Sequence, residues 1–176
     1  MSEVEAPIDS PIEVKIAWAE SCYHRIGDQL LRDDRIAELL IRSREAIRAS
    51  HKEMVDVGVV NECKGCEERE GGSCCGAGLE NRYGGVLLLI NCLLGVKIPK
   101  DRPDPLSCFF LGKKGCLLPA RHTICVDYLC KKITDRIDPQ KISALREKEG
   151  VEVERLFFLH EEVRKMLKAQ GTRPKV

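Results

Sequence analysis

The chain of 176 residues carries 29 basic and 28 acidic side chains for a formal net charge of +1, and 43% of it is hydrophobic. That balance excludes a disordered chain, and it offers no basic field to attract nucleic acid or anionic lipid. The length suits a single domain over 1–176. Ten cysteines, nine of them between Cys63 and Cys130, are the departure from ordinary composition.

The first eleven residues hold three acids, no base precedes Lys15 and there is no apolar stretch, which argues against a secretory signal. The longest apolar run, Val86 to Val96, is 11 residues long and is interrupted by Asn91 and Gly95, too short to span a bilayer. The expectation is a cytoplasmic chain with no membrane partner and no nucleic-acid partner. Thiols stay reduced there, and clustered cysteines hold metal or do redox chemistry. Charge divides the chain into an acidic first third (−5 over 1–62), a middle (+2 over 63–130) and a basic end (+4 over 131–176).

In chain order, residues 1–60 read as N-terminal helices. Ser10-Pro11-Ile12-Glu13 offers a hydroxyl cap, proline at the first helical position and a glutamate three residues after the cap. Ile12, Ile16, Ala19, Tyr23 and Ile26 then form one stripe, with Gly27 as its weak point. A second pattern runs from Asp33 to about Val57, with Ile36, Leu40, Ile47, His51 and Met54 near one face. Residues 61–131 form an irregular segment. Six glycines (Gly71, Gly72, Gly76, Gly78, Gly84 and Gly85) signal tight backbone, without either phosphate-loop motif. Leu87 to Leu94 reads as a buried helix whose Asn91 needs an internal partner. Gly112 to Gly115 reads as a tight turn between two short extended pieces. In residues 132–176, Asp138-Pro139 caps a helix carrying Ile142, Leu145, Leu156, Leu159, Val163 and Met166. Glu149 and Glu152 fall on the skipped steps beside Gly150, so this stretch reads as two helices, or one with a defect. The fold class expected is mainly α, with helices flanking a glycine- and cysteine-rich metal-binding segment that includes a short β-hairpin.

The chemistry lies in eight cysteines: Cys63 and Cys66 as a C-x-x-C pair, the doublet Cys74-Cys75, then Cys108, Cys116, Cys125 and Cys130. One pair alone is a weak sign; eight cysteines in two groups of four are a strong one. Positions five apart on a continuous helix diverge by about 140°, so Cys125 and Cys130 share an ion only if the helix breaks, and otherwise serve different centres. Neighbouring side chains point apart, which raises the same question for Cys74 and Cys75. One centre with spare thiols or two centres both satisfy the pattern. Arg121, four residues before Cys125, is placed to favour a thiolate. Cys92 reads as core, Cys22 as part of the first helix, and His122 is a weaker ligand candidate.

This ordered set resembles the YkgJ-type cysteine-cluster family, described as zinc- or iron-chelating domains and often labelled iron–sulfur proteins. The resemblance covers about residues 60–131. It rests on Cys63-x-x-Cys66, Cys74-Cys75, Cys108-Phe-Phe-Leu ending at Gly115-Cys116, and Arg121-x-x-x-Cys125 followed by Cys130. His122 stands where the family usually has proline, and seven residues separate Cys66 from the doublet. The resemblance implies a metal-ion partner, with zinc, iron or an iron–sulfur cluster as cofactor, in a structural or electron-transfer role. Some relatives are named flagellin lysine N-methylases, so the alternative is an enzyme of the oxidoreductase or protein lysine N-methylase type using the cluster. A dithiol-exchange protein and an interaction module braced by metal are the remaining readings; a protein partner is not legible.

Overall fold

The helical periodicities at the two ends become the frame of the molecule. The computed structural model describes residues 5–69 and 74–171. Helix α1 (Ile12–Arg32) buries Ile12, Ile16, Ala19, Ile26 and Leu30 along one stripe. Its start differs from the capping box expected at Ser10. Ser10 closes a turn onto Pro7, Pro11 is extended and occupies the N-cap, and no side chain caps the helix. Gly27 does not weaken α1, because the helix runs on to Arg32 and a Cβ there would lie 2.9 Å from the Tyr23 ring.

Asp33 separates α1 from α2 (Asp34–Asp56), and its carboxylate accepts from the Ile36 N–H at 2.9 Å. The buried face of α2 passes through Ile36, Leu39, Leu40, Ser43, Ala46, Ile47 and Ser50. His51, expected near that face, is exposed instead: the stripe is carried on by small serines, which let α7 approach closely. After Gly58, whose φ of +93° makes the corner, α3 (Val59–Arg69) carries the first cysteine pair.

A short 3₁₀ turn (Leu79–Arg82) leads into α4 (Gly85–Leu93), which is buried almost throughout and packs on α1. Asn91 finds the internal partners it needs, accepting from Ala120 N–H at 3.1 Å and donating to Leu87 and Ala120 carbonyls at 2.9 Å each. Strands β1 (Leu111–Gly112) and β2 (Gly115–Cys116) pair antiparallel, with Leu111 opposite Cys116 and Gly112 opposite Gly115. Gly115 adopts the positive φ, +107°, that this tight turn requires. Two short helices follow, α5 (Thr123–Asp127) and α6 (Lys131–Arg136).

Helix α7 (Pro139–Gly171) is one element, with no break at Gly150. Asp138 caps it, accepting from Gln140 N–H at 2.8 Å. Glu149 and Glu152 sit in the stripe as buried residues, so the skipped apolar steps are filled by carboxylates and not by a helix defect. The architecture is mainly α with one short two-stranded sheet. A main core joins α1, α2, α4, the hairpin and α7, while Val59, Ile133 and Leu145 form a second, smaller core under α3 and α6. Among the described residues no helix is long and apolar enough to cross a membrane.

Candidate functional site

The sequence around the cysteines is held by polar ties the helical pattern does not reveal. Glu80, 2% exposed, pairs with Arg102, accepts from Gly78 N–H at 2.9 Å and faces Phe109 N–H at 3.4 Å. Burial alone would push its carboxyl up; its own backbone, Arg102 and Phe109 outweigh that and hold it below the usual range. Arg102 in turn donates to the Ser107 carbonyl at 2.6 Å and lies over the Phe109 ring. This ion pair ties the segment after Cys75 to the segment before Cys108. The backbones of those segments meet directly, Cys108 N–H donating to Cys75 C=O at 2.7 Å and Ala77 N–H to Leu106 C=O at 3.0 Å. Lys15, fully buried on α1, anchors the 3₁₀ turn by donating to Asn81 C=O at 2.9 Å.

On this scaffold the eight cysteines sort into two sets. Cys75 is pushed up to about 12, by burial first and then by the charges of Cys125, Cys108, Cys116 and, last, Cys63. Cys108 is pushed up to about 11, by burial and among its neighbours Glu80, Cys116 and Cys125. Cys116 and Cys125 are also raised by burial. These four form the inner set. Arg121 and Tyr83 favour the thiolate at Cys116 and Cys125, against the larger effect of burial. Tyr83 is 1% exposed and edge-on to Phe110, with ring centroids 5.0 Å apart, so its hydroxyl is fixed by packing.

The outer set is Cys63, Cys66, Cys74 and Cys130. Cys63 is raised by burial, then by Cys130, Cys74 and Cys66. Cys74 is raised by burial, then by the charge and the thiol–thiol contact of Cys130, and by Cys66, while the Tyr128 hydroxyl lowers it. The first pair is not a loop knuckle as its spacing suggests, because both cysteines lie on α3, three residues apart and so on one face. The Lys132 ammonium is 3.7 Å from the Cys66 sulfur.

The doublet is therefore divided, Cys74 to the outer set and Cys75 to the inner. Cys125 and Cys130 are divided as well. Helix α5 ends at Tyr128, whose backbone is extended, and Cys130 caps α6. The chain thus leaves its helix between Cys125 and Cys130. Gly71 and Gly72 of the glycine-rich loop lie outside the described residues.

His122 does not join either set; its ring nitrogen accepts from Ile124 N–H at 3.2 Å and starts α5. Cys22 and Cys92 are buried in the main core. Among the described residues, which include all ten cysteines, no disulfide forms. Thiolate sulfur is the donor chemistry of structural zinc and of iron–sulfur clusters alike. Among the described residues no three His, Cys, Asp or Glu side chains stand together in ligand-ready geometry.

Arg121 reaches beyond the cysteines. Its guanidinium lies 3.7 Å from Glu152, which is fully buried, and 3.4 Å from the Met54 sulfur. Burial pushes the Glu152 carboxyl up, with Arg121 and then Ser50 opposing. Tyr83, Glu80 with Arg102, and Lys15 left no signal in the sequence, since each acts through a partner distant in the chain. Comparison with protein-family models, with curated proteins and with solved structures returned no match for this chain.

Proposed function

We propose that the chain is a metal-binding cysteine-cluster protein that chelates zinc or iron, as ions or as an iron–sulfur cluster. Its ligands are Cys75, Cys108, Cys116 and Cys125 in one set and Cys63, Cys66, Cys74 and Cys130 in the other. The observation that carries this reading is that sulfurs from distant parts of the chain come near enough to act on one another, Cys63 with Cys130, Cys74 and Cys66, and Cys75 with Cys125, Cys108 and Cys116, while Cys108 N–H is bonded to Cys75 C=O at 2.7 Å. Burial and neighbouring sulfurs keep Cys63, Cys74, Cys75 and Cys108 protonated, and a bound cation would displace those protons. Ligation asks the sulfurs of each set to close onto a common centre by side-chain rotation. With four sulfurs per ion no position stays open for substrate, which favours a structural or electron-transfer role. Ligation also needs reduced sulfurs, the condition of the cytoplasm. The ordered cysteine pattern shared with YkgJ-type proteins supports the same reading.

The test is elemental analysis with an absorption spectrum of protein purified without oxygen. Two zinc ions per chain and no colour identify zinc; brown protein with iron and sulfide identifies clusters. Protein that is folded, fully reduced and free of metal overturns the proposal.

A further inference from the structure

We infer that the outward face of α7 is the contact by which two copies of this chain pair, their helices antiparallel about a two-fold axis. The inference is independent of the cysteines. Helix α1 exposes Val14 and Leu31, and α2 exposes Ile41 and Val55, in each case several turns apart. Single apolar residues of this kind are ordinary surface. Helix α7 is different. Val151, Phe157 and Phe158 are all exposed within two turns, although the other side of the helix is sunk in the main core through Leu156, Leu159 and Val163. Phe157 is 59% and Phe158 44% exposed, and their rings stand edge to face with centroids 5.7 Å apart. A helix apolar on two sides is ordinarily covered on both, and clustered aromatic side chains are the usual anchors of a protein contact.

Charge selects the occupant. Glu147 and Lys165 are both exposed and stand eighteen residues apart, which at about 3.6 residues per turn is five whole turns, so they lie on one line along the helix. Phe158 falls between them within about 20° of that line. The line therefore runs from acid through aromatic to base. A two-fold contact sets residue i against j and j against i. With the axis midway along this line and the helices antiparallel, each Glu147 meets the other copy's Lys165, and Phe157 and Phe158 of both copies lie near the axis between the two ion pairs. A parallel pair would set Glu147 against Glu147 and Lys165 against Lys165. Glu154 and Glu161, beside the aromatic rings, each have an arginine of their own helix at hand, Arg155 at 3.8 Å and Arg164 at 3.5 Å. Lys165 also pairs with Glu162 at 3.1 Å, a surface contact too weak to withhold it from a second carboxylate.

Sedimentation of the full chain under reducing conditions, so that no intermolecular disulfide contributes, reads the pairing. A monomer–dimer equilibrium that shifts toward dimer with rising concentration is expected. Phe158→Ser should weaken association at least about tenfold while the melting temperature of the dilute chain stays close to that of the parent, because the ring it removes is not part of the core. Glu147→Lys alone and Lys165→Glu alone should weaken association by a similar factor, and the chain carrying both exchanges should regain the association of the parent. A chain that is monomeric at every concentration, a dimer indifferent to Phe158→Ser, or a double variant that associates no better than the single ones overturns the inference. The proposed metal binding stands apart from each of these results.

Discussion

The buried hydroxyl of Tyr83 acts on Cys125, opposing the rise in that thiol's pKa that burial causes. The same hydroxyl serves Cys116, and in both cases it favours the thiolate. Tyr83→Phe keeps the ring packed on Phe110 and removes only the donor. It is expected to cost about 1 kcal/mol of stability and to raise the pKa of both thiols. Alkylation of metal-free protein, read at the peptides of Cys116 and Cys125 as a function of pH, should move its midpoint upward. Unchanged midpoints would show that Tyr83 acts on the site through shape alone.

Glu80 and Arg102 join the two segments that bring Cys75 to Cys108, so their pairing is expected to matter for the whole inner region. Glu80→Gln should cost about 1.5–3 kcal/mol near neutral pH by weakening hydrogen bonds to a charged group. The pH dependence has a definite sign. Because the folded protein holds this carboxyl below its usual range, its contribution is fully present above the unfolded value of about 4.3 and is lost as pH falls through the folded value. Melting temperatures of the parent and the variant should therefore differ at pH 7 and converge as the solution is acidified below about pH 4. A gap that stays constant with pH would mean that the charge on Glu80 is not what ties the segments together.

Much of the helical frame was legible in the residues themselves. Asp138 announces α7 because a cap and its N–H partners lie within three residues of one another, and the same holds at Asp33, which the structure shows capping α2. The hairpin was legible at Gly112 to Gly115 for the same local reason. At Ser10 the same reasoning failed, since Pro11 takes an extended conformation there and the preceding turn onto Pro7 consumes Ser10. The eight cysteines stand out in the sequence by their spacing, but the spacing does not tell how the chain disposes neighbouring ones. Adjacency in sequence suggests that Cys74 and Cys75 act together, whereas the chain bends at both, and the hydrogen bond from Cys108 N–H to Cys75 C=O with the bridge between Gly76 and Ser107 holds Cys75 beside Cys108. That register comes from a contact between residues far apart in the chain, which no local pattern encodes.

Arg121 stands between two needs, the thiolates of Cys116 and Cys125 and the buried carboxyl of Glu152. Removing it as Arg121→Gln leaves Glu152 with no cation and should cost on the order of 3 kcal/mol at neutral pH. Glu152 is already raised in the folded protein. A raised carboxyl lends its full stabilisation below the unfolded pKa, and that stabilisation is lost as pH rises through the folded value. Without Arg121 the carboxyl rises further, so the destabilisation should be small near pH 4.5 and grow toward pH 8. In a Glu152→Gln background most of this dependence should vanish, leaving the smaller effects of Arg121 on Glu149 and His51. Thermal melts across that range decide it, and an Arg121→Gln cost that is flat with pH would remove Glu152 from the account.

Two glycines on helices give opposite expectations from one substitution. At Gly85, where α4 crosses α1, an added Cβ would lie 2.5 Å from Cε3 and 2.8 Å from Cζ3 of Trp18, a ring that cannot retreat without opening the contact between the helices. Overpacking of this kind costs about 1–3 kcal/mol, which exceeds the roughly 1 kcal/mol that alanine gains over glycine in a helix. Gly150 lies within α7, is exposed, and has nothing within 4 Å of its ideal Cβ. There the same change keeps its helical advantage. Gly85→Ala should thus lower the melting temperature and shift the emission of Trp18, the chain's one tryptophan, while Gly150→Ala should raise the melting temperature and leave that emission alone. Stabilisation by Gly85→Ala would mean that α1 and α4 pack less closely than 2.5 Å implies.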